Sequence, residues 1–405
     1  KFMNANSEHS SNVINEIRSR IKKKGKISFS EFMEVALYLP GYGYYRSDEK
    51  QPYQQDYYTS PSVSPVFGAC IAIQLRQMWL LLGKPKEFSV VEMGSGNGNL
   101  CRDITKIAPK LNVEFASSLK YFPTDIADKV PSKITGCVIS NELLDAFPVH
   151  QVTVRQGMFQ EIFVSMVDGS FVQTVGSPSS PELFHRLRKH GVELKEGQVA
   201  EINLGIDRWA SEIGSVLDSG YVITIDYGDT ARRLYSFQER PDGCLTTYYK
   251  HTQIDDPFKH IGFQDITSQV DFSAVVTSGR TNGLEYLGYT TQRQFLKNLG
   301  LDMWSRGLDR AGISVRDVQV NKAGMLDLVR VGGLGDFKVL LQGKNVPPGK
   351  LWGFDIDSSA TGRVGAFTFN PVPFLSGDHI RILDGLYPRS ETEFTLDELW
   401  PTDPE

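Results

Sequence analysis

Between Val90 and Leu100 the chain reads VVEMGSGNGNL, in which Glu92 is followed by glycines at alternate positions, Gly94, Gly96 and Gly98. The mostly apolar run Phe88 to Val91 before it suits a buried parallel strand, and a helical stretch opens at Leu100. Strand, glycine turn and helix in succession make half of a nucleotide site. Glycine tolerates positive φ and, lacking Cβ, lets a ligand come close to the backbone, while Glu92 offers a carboxylate to the ligand's cationic or ribose end. A dinucleotide fold needs G-x-G-x-x-G so that a pyrophosphate can rest on the helix N-terminus, and here Asn99 occupies the last glycine position. The spacing therefore favours a cofactor loop of the S-adenosylmethionine (SAM) type over NAD. A plain tight turn after a strand remains the competing reading of the motif taken alone.

The chain has 405 residues, enough for two or three domains or for one α/β domain with large insertions, and we favour the latter. A net charge of −5 gives no bulk attraction for nucleic acid or an anionic membrane. Cys70, Cys101, Cys137 and Cys244 are far apart and form no C-x-x-C pair, so reduced thiols are expected and no metal site. No apolar run reaches the roughly 20 residues of a membrane-spanning helix. The expected location is the cytoplasm, with an organelle matrix after presequence removal as the alternative.

Val13, Ile14, Ile17 and Ile21 fall at helical spacing, and Gly25 closes that helix after a basic run. Ser28 with Glu31 predicts a capping box for a second helix, stopped by Pro40. Val66 to Leu82 reads as a long apolar helix. Ile134 to Ser140 and Tyr221 to Ile225 read as buried strands, and Phe337 to Leu341 as a closing one. Gln160 to Val164 and Phe171 to Val175, around Asp168-Gly169, predict a hairpin, and Trp209 to Leu217 a helix. Carboxylates recur at strand ends, at Glu92, Glu142 and Asp226. Open α/β sheets bind ligands outside the carboxyl ends of their strands, so these three are expected to converge. The division expected along the chain is a helical and loop segment 1–83, a core 84–343 with insertions at about 151–200 and 229–320, and a Pro-, Gly- and Ser-rich tail or small unit 344–405.

Several strings in shared order give the chain its kinship: PGYGYY at Pro40 to Tyr45, YYTSPSVSPVFG at Tyr57 to Gly68, VVEMGSGNGNL, and SNELLDAFPVHQ at Ser140 to Gln151. They continue with TIDYG at Thr224 to Gly228, CLTTYYKH at Cys244 to His251, IGFQDITSQVDF at Ile261 to Phe272 and DFKVLLQG at Asp336 to Gly343. Together these resemble the MidA-like methyltransferase family, whose mitochondrial members are complex I assembly factors that methylate arginine on a protein. The resemblance implies an α/β class I SAM-dependent methyltransferase core, Rossmann-like, with an N-terminal helical segment and large substrate-region insertions. It implies SAM as cofactor and a protein substrate, a respiratory-complex subunit in the family's terms, and leaves a homodimer open. By the same resemblance Glu92 and the three glycines face the cofactor, with Thr59, Ser60 and Pro61 in a loop beside it and Asn141, Glu142 and Asp145 between cofactor and substrate. The family's V-E-x-S-x-x-L is met by VEFASSL at Val113 to Leu119 only with altered spacing, which makes Glu114 the ribose candidate, with Asp125 as an adenine-side acid. Only about twenty residues then separate Glu114 from Ile134, too few for the helix, strand and helix of a doubly wound sheet. A second departure is Gln269, where the family commonly has histidine.

A methyl on a sulfonium needs little more than an aligned nucleophile at about 3 to 3.5 Å and exclusion of water. If the nucleophile is a guanidinium, carboxylates have to grip it, localise its charge and take up its proton. Glu142 is the first candidate, supported by Asp145 and Asp226. Tyr45, Tyr227, Tyr248, His251 and Asp265 are the candidates on the substrate side, where tyrosines can build a wall for a cation or simply pack. Two other function classes stay open: a non-catalytic SAM-fold assembly or scaffolding protein, and a NAD-dependent oxidoreductase.

Overall fold

The computed structural model describes residues 2–47, 59–125, 131–249, 252–254, 256–355 and 372–380. The chain forms two compact units, one of Lys1–Tyr57, Leu143–Ser211 and Gly228–Ser278, the other of Tyr58–Glu142, Glu212–Tyr227 and Gly279–Glu405.

The second unit is built on a six-stranded sheet. In chain order its strands are β1 (Phe88–Met93), β2 (Leu119–Thr124), β3 (Ile134–Asn141), β4 (Leu217–Asp226), β5 (Glu285–Thr291) and β6 (Lys338–Lys344), and across the sheet they run β5-β6-β4-β3-β1-β2. β2, β1, β3 and β4 are parallel neighbours, and β6 lies antiparallel to both β4 and β5. The inner strands carry the apolar runs Cys137-Val138-Ile139 and Tyr221-Val222-Ile223 and are buried along most of their length, as a parallel sheet covered on both faces requires. Helix α1 (Pro65–Leu81) and helix α2 (Asn99–Leu111) belong to the same apolar core, whose largest fully buried side chains include Trp79, Phe67, Phe88, Phe115, Phe295 and Trp304. α1 is buried on nearly all sides rather than along one stripe, which marks a helix inside a core. Gly68 on α1 faces α2 so closely that an added Cβ would stand 2.6 Å from Asp103 Cβ.

Register levels the carboxyl ends of the parallel strands. Met93 stands beside Thr124 on one side and Ser140 on the other, and Ser140 beside Thr224. The sheet order explains the shortage of residues seen in the sequence. β2 lies at the sheet's outer end among the described residues, and only Asp125 to Lys133 separate it from β3 on the far side of β1.

The other unit opens with the helix Phe2–Lys24, ended by Gly25 at φ 80°, and the helix Phe29–Tyr38. Both arms of the capping box at Ser28 and Glu31 are present, satisfying two backbone N–H groups that the helix cannot. The predicted hairpin is Met158–Val167 with Ser170–Gly176, part of a five-stranded sheet that also holds Ile27–Ser28, His150–Arg155 and Val199–Ile202. A three-stranded sheet of Thr252–Ile254, Leu245–Tyr249 and Asp265–Ser268 completes the unit's strands beside the short parallel pair Gly228–Asp229 and Val270–Asp271. No helix among the described residues is long and apolar enough to cross a membrane.

Candidate active site

The glycine loop follows β1 with Gly94, Gly96 and Gly98 at φ 75°, 51° and 73°, all in the left-handed region that an L side chain enters only at a cost. The loop is tied to β2: the N–H groups of Gly94 and Ser95 both donate to the Thr124 carbonyl, at 2.9 and 3.1 Å. The Thr124 hydroxyl donates back to the Glu92 carbonyl at 2.9 Å. A Cβ added at Gly96 or Gly98 would meet nothing within 4 Å. The protein's own packing thus does not require glycine at these two positions; the turn does, and it leaves an open backbone surface suited to close ligand approach.

Beneath the loop Glu92 is 4% exposed, and the Tyr121 hydroxyl donates to its Oε2 at 2.9 Å. Burial pushes the Glu92 carboxyl up to about 7, with the Tyr121 hydrogen bond acting in the opposite direction. On α2, burial raises the Cys101 thiol to about 11, helped by the Glu92 charge and opposed by Arg102. Such a carboxylate is poised to gain from a cationic group brought near it. Asp125, exposed, directly follows β2 at the same edge of the sheet. Glu114 does not reach that edge: it lies in the short helix Val113–Ser118 at the opposite, amino end of β2, with Lys84 donating to its Oε2 at 3.2 Å. VEFASSL therefore forms a helix and the first residue of the strand rather than a strand ending in an acid.

After β3 the chain turns at Glu142, whose φ of 52° is unusual for a residue with a side chain. Its backbone N–H donates to the Ile225 carbonyl of β4 at 2.9 Å, which fixes the turn to the sheet. Oε1 accepts from the Asn141 amide at 2.8 Å and from the Ser60 N–H at 3.2 Å. Ser60 begins the short helix Ser60–Val63, with Thr59 as N-cap and Pro61 in its first turn, and its hydroxyl donates to Gln292 Oε1 at 3.0 Å. The loop matched to the cofactor pocket and the post-β3 acid are thus in contact through a backbone amide. Asp226, 1% exposed, ends β4 and accepts from the Tyr227 N–H at 2.9 Å, while the Tyr227 ring lies 5.4 Å from that of Phe337. The structure brings Glu92, Glu142 and Asp226 to one edge of one sheet, as the strand-end pattern predicts.

The other unit gathers a second group. The Tyr45 hydroxyl donates to Asp265 Oδ1 at 2.7 Å, and its ring stacks on Tyr38 and meets Tyr44 edge-on, at 5.6 and 5.0 Å between centroids. Tyr248 stands opposite Asp265 across the sheet, and its phenol is pushed up by burial and then by the charges of Asp265 and Asp145. Asp145 is 6% exposed, and its carbonyl accepts from the Ser268 N–H at 2.9 Å. Tyr45, Asp145, Tyr248 and Asp265 therefore form one acidic and aromatic cluster. Tyr249 stacks on His260 at 4.0 Å, and Gln269 accepts from Arg240 at 2.9 Å. Tyr57, Tyr58 and His251 lie outside the described residues. No group of three or more His, Cys, Asp or Glu among the described residues is arranged to hold a metal ion. Sequence reasoning missed Tyr121, since nothing in a local pattern links it to a carboxylate 29 positions away.

A family model described as "Putative S-adenosyl-L-methionine-dependent methyltransferase" matches residues 70–130 and 113–290, together more than half of the chain. The two matched pieces overlap at 113–130, where the sheet is short of residues. The chain is similar to "Protein arginine methyltransferase NDUFAF7 homolog, mitochondrial" of Drosophila melanogaster, 26% identical over 353 residues that span 73% of this chain and 76% of that protein. It is similar to "Protein arginine methyltransferase NDUFAF7, mitochondrial" of Danio rerio, 24% identical over 354 residues, 74% of this chain and 79% of that one. Among solved structures, a protein from Burkholderia thailandensis bound to S-adenosyl-homocysteine superposes with a TM-score of 0.75 at 28% identity, covering 87% of this chain and 96% of that one.

Proposed function

This chain belongs to the S-adenosyl-L-methionine-dependent methyltransferase family, and on that footing we propose that it methylates arginine on a protein, with a respiratory-complex subunit as the substrate class. The observation that carries the reading is the carboxyl end of the parallel sheet, where an open glycine loop follows the strand of the buried Glu92 and the conformationally strained Glu142 follows the neighbouring strand. The names of these relatives support the arginine and the mitochondrial parts, and favour the organelle matrix over the cytoplasm.

In this reading Gly94, Gly96 and Gly98 present backbone to the methionine part of the cofactor, Glu92 faces its cationic end, and Asp125 holds the ribose hydroxyls in place of Glu114. Thr59, Ser60, Pro61 and Asn141 line the same site. When bound, SAM supplies an electrophilic methyl on a sulfonium. Glu142 grips the guanidinium, pulls its charge toward the far nitrogens and so frees a lone pair on the reacting one. As the N–C bond forms and the S–C bond breaks, the nitrogen's proton passes to a carboxylate, with Glu142 first and Asp226 in support, while Asp145 is a candidate by the resemblance alone. Tyr227 is the substrate-side candidate in the unit that holds the glycine loop, Tyr45, Tyr248 and Asp265 are those of the other unit, and His251 belongs with the latter by its place in the sequence.

The deciding experiment is calorimetric titration with SAM and with NAD, followed by transfer of labelled methyl from SAM to mitochondrial protein and amino-acid analysis of the product. SAM binding with label in methylarginine supports the proposal. Label in another residue overturns the arginine assignment, and SAM binding with no transfer to any protein favours the scaffold reading, to which Gln269 at the family's histidine position lends some weight.

A further inference from the structure

Residues 372–380 lie in the Pro-, Gly- and Ser-rich tail to which no motif gives a role, yet they reach the two loops assigned above to the cofactor. The Asp378 carbonyl accepts from the Asn99 amide at 3.0 Å, and Asn99 directly follows Gly98. The Ile380 N–H donates to the Ser62 carbonyl at 2.8 Å, inside the short helix whose first amide donates to Glu142. Between these contacts, His379 Nε2 lies 3.1 Å from Asp103 Oδ2 in a pair that is 9% and 8% exposed. His379 Nδ1 accepts from the Ser376 N–H at 3.1 Å, so the neutral ring carries its proton on Nε2 and donates it to Asp103. Asp103 is one turn into α2 and is fixed from its other side by the close approach of Gly68. At its far end the segment is anchored by the Leu375 N–H, which donates to Asn321 Oδ1 at 2.9 Å.

We propose that 372–380 is a working part of the cofactor site, a strap joining Asn99 of the glycine-loop helix to Ser62 of the Thr59–Ser62 turn, with His379 as the positioning residue that sets α2 in its binding register. The inference rests on the SAM reading above. A buried polar pair is poor evidence of net stability, since desolvation offsets its attraction. What it supplies is one orientation: the imidazole bonds at both nitrogens only when Ser376 and Asp103 are both in place. A strap that holds the binding conformation must in turn be held by the ligand, because coupling between two sites is reciprocal.

The test uses the full chain and S-adenosyl-homocysteine, with hydrogen exchange of the amides in 376–380 and calorimetric affinity as readouts. Saturating S-adenosyl-homocysteine should slow exchange across 376–380. His379→Ala should abolish that slowing and weaken binding about tenfold, ~1.4 kcal/mol of coupling. In turnover the loss should fall on KM for SAM, with kcat at saturation within about a factor of two. Asp103→Ala, which removes the acceptor of the Nε2 proton, should weaken binding as His379→Ala does, and wild-type affinity in it would count against the strap. Ser28→Ala, which weakens a helix cap in the other unit, should lower Tm and leave affinity alone. Unchanged exchange in the wild type on saturation overturns the inference, as does wild-type affinity in His379→Ala with only Tm reduced. Failure of the wild type to bind S-adenosyl-homocysteine at all would remove the SAM reading and the strap together.

Discussion

Glu142 carries a conflict between backbone and chemistry. Its left-handed φ costs on the order of 1 kcal/mol in a residue with a side chain, a cost that a glycine at the same position would avoid. Glu142→Gly relieves that strain but takes the acceptor from the Ser60 N–H and the Asn141 amide and loosens the unfolded chain, so it is expected to lower Tm while removing methyl transfer, and thermal melting with a transfer assay reads both. Glu142→Gln keeps the shape and the bonds to Ser60 and Asn141 but not the charge. It should reduce kcat by about 10² or more with SAM affinity little changed. Glu92 gives a pH prediction. Its carboxyl is raised to about 7 from an ordinary value of 4.5, so between those pH values the folded protein holds a proton that the unfolded chain releases. Its contribution to stability consequently falls as pH rises through this window. A cationic ligand lowers the same pKa, so SAM should bind more tightly at pH 8 than at pH 6, by up to about tenfold, with release of a proton seen as buffer-dependent heat. Glu92→Gln should flatten both profiles.

At the scale of elements, local signals were readable wherever the physics is local. The capping box at Ser28 and Glu31, the stop at Gly25 and the Asp168-Gly169 hairpin follow from turn and cap chemistry that a few neighbouring residues determine. The strand-end carboxylates were readable because a parallel sheet has only one edge where its strands can deliver them. Glu114 was misread for a related reason: VEFASSL has the composition of either a strand or a short helix, and Asn112, whose side chain accepts from the Phe115 N–H, caps it as a helix. The strap at 372–380 leaves no trace in sequence, since its bonds join residues as far apart as Ser62 and Ile380. The glycine loop yields a sharper expectation. Gly96→Val places a branched side chain at φ 51°, a strain of about 1–2 kcal/mol, into space that no protein atom occupies within 4 Å. The variant should fold, with a modest loss of Tm, and should not bind SAM by calorimetry.

For the whole molecule, the position of β2 at the outer end of the described sheet has a consequence for how the protein behaves in a crowded solution. A strand with no neighbour on one side among the described residues offers that side to any extended segment that drifts past, including the same strand of another copy. Its sequence, LKYFPT, is aromatic enough to invite such stacking, and it carries two deterrents in Lys120 and Pro123. A lysine repels its counterpart on a second copy, and a proline cannot donate to a new ladder. Pro123→Val is expected to leave the cofactor edge intact and to shorten the time to visible aggregation on mild heating, measured by light scattering. The protein's colloidal behaviour thus rests in part on two residues of β2 that no catalytic argument would single out.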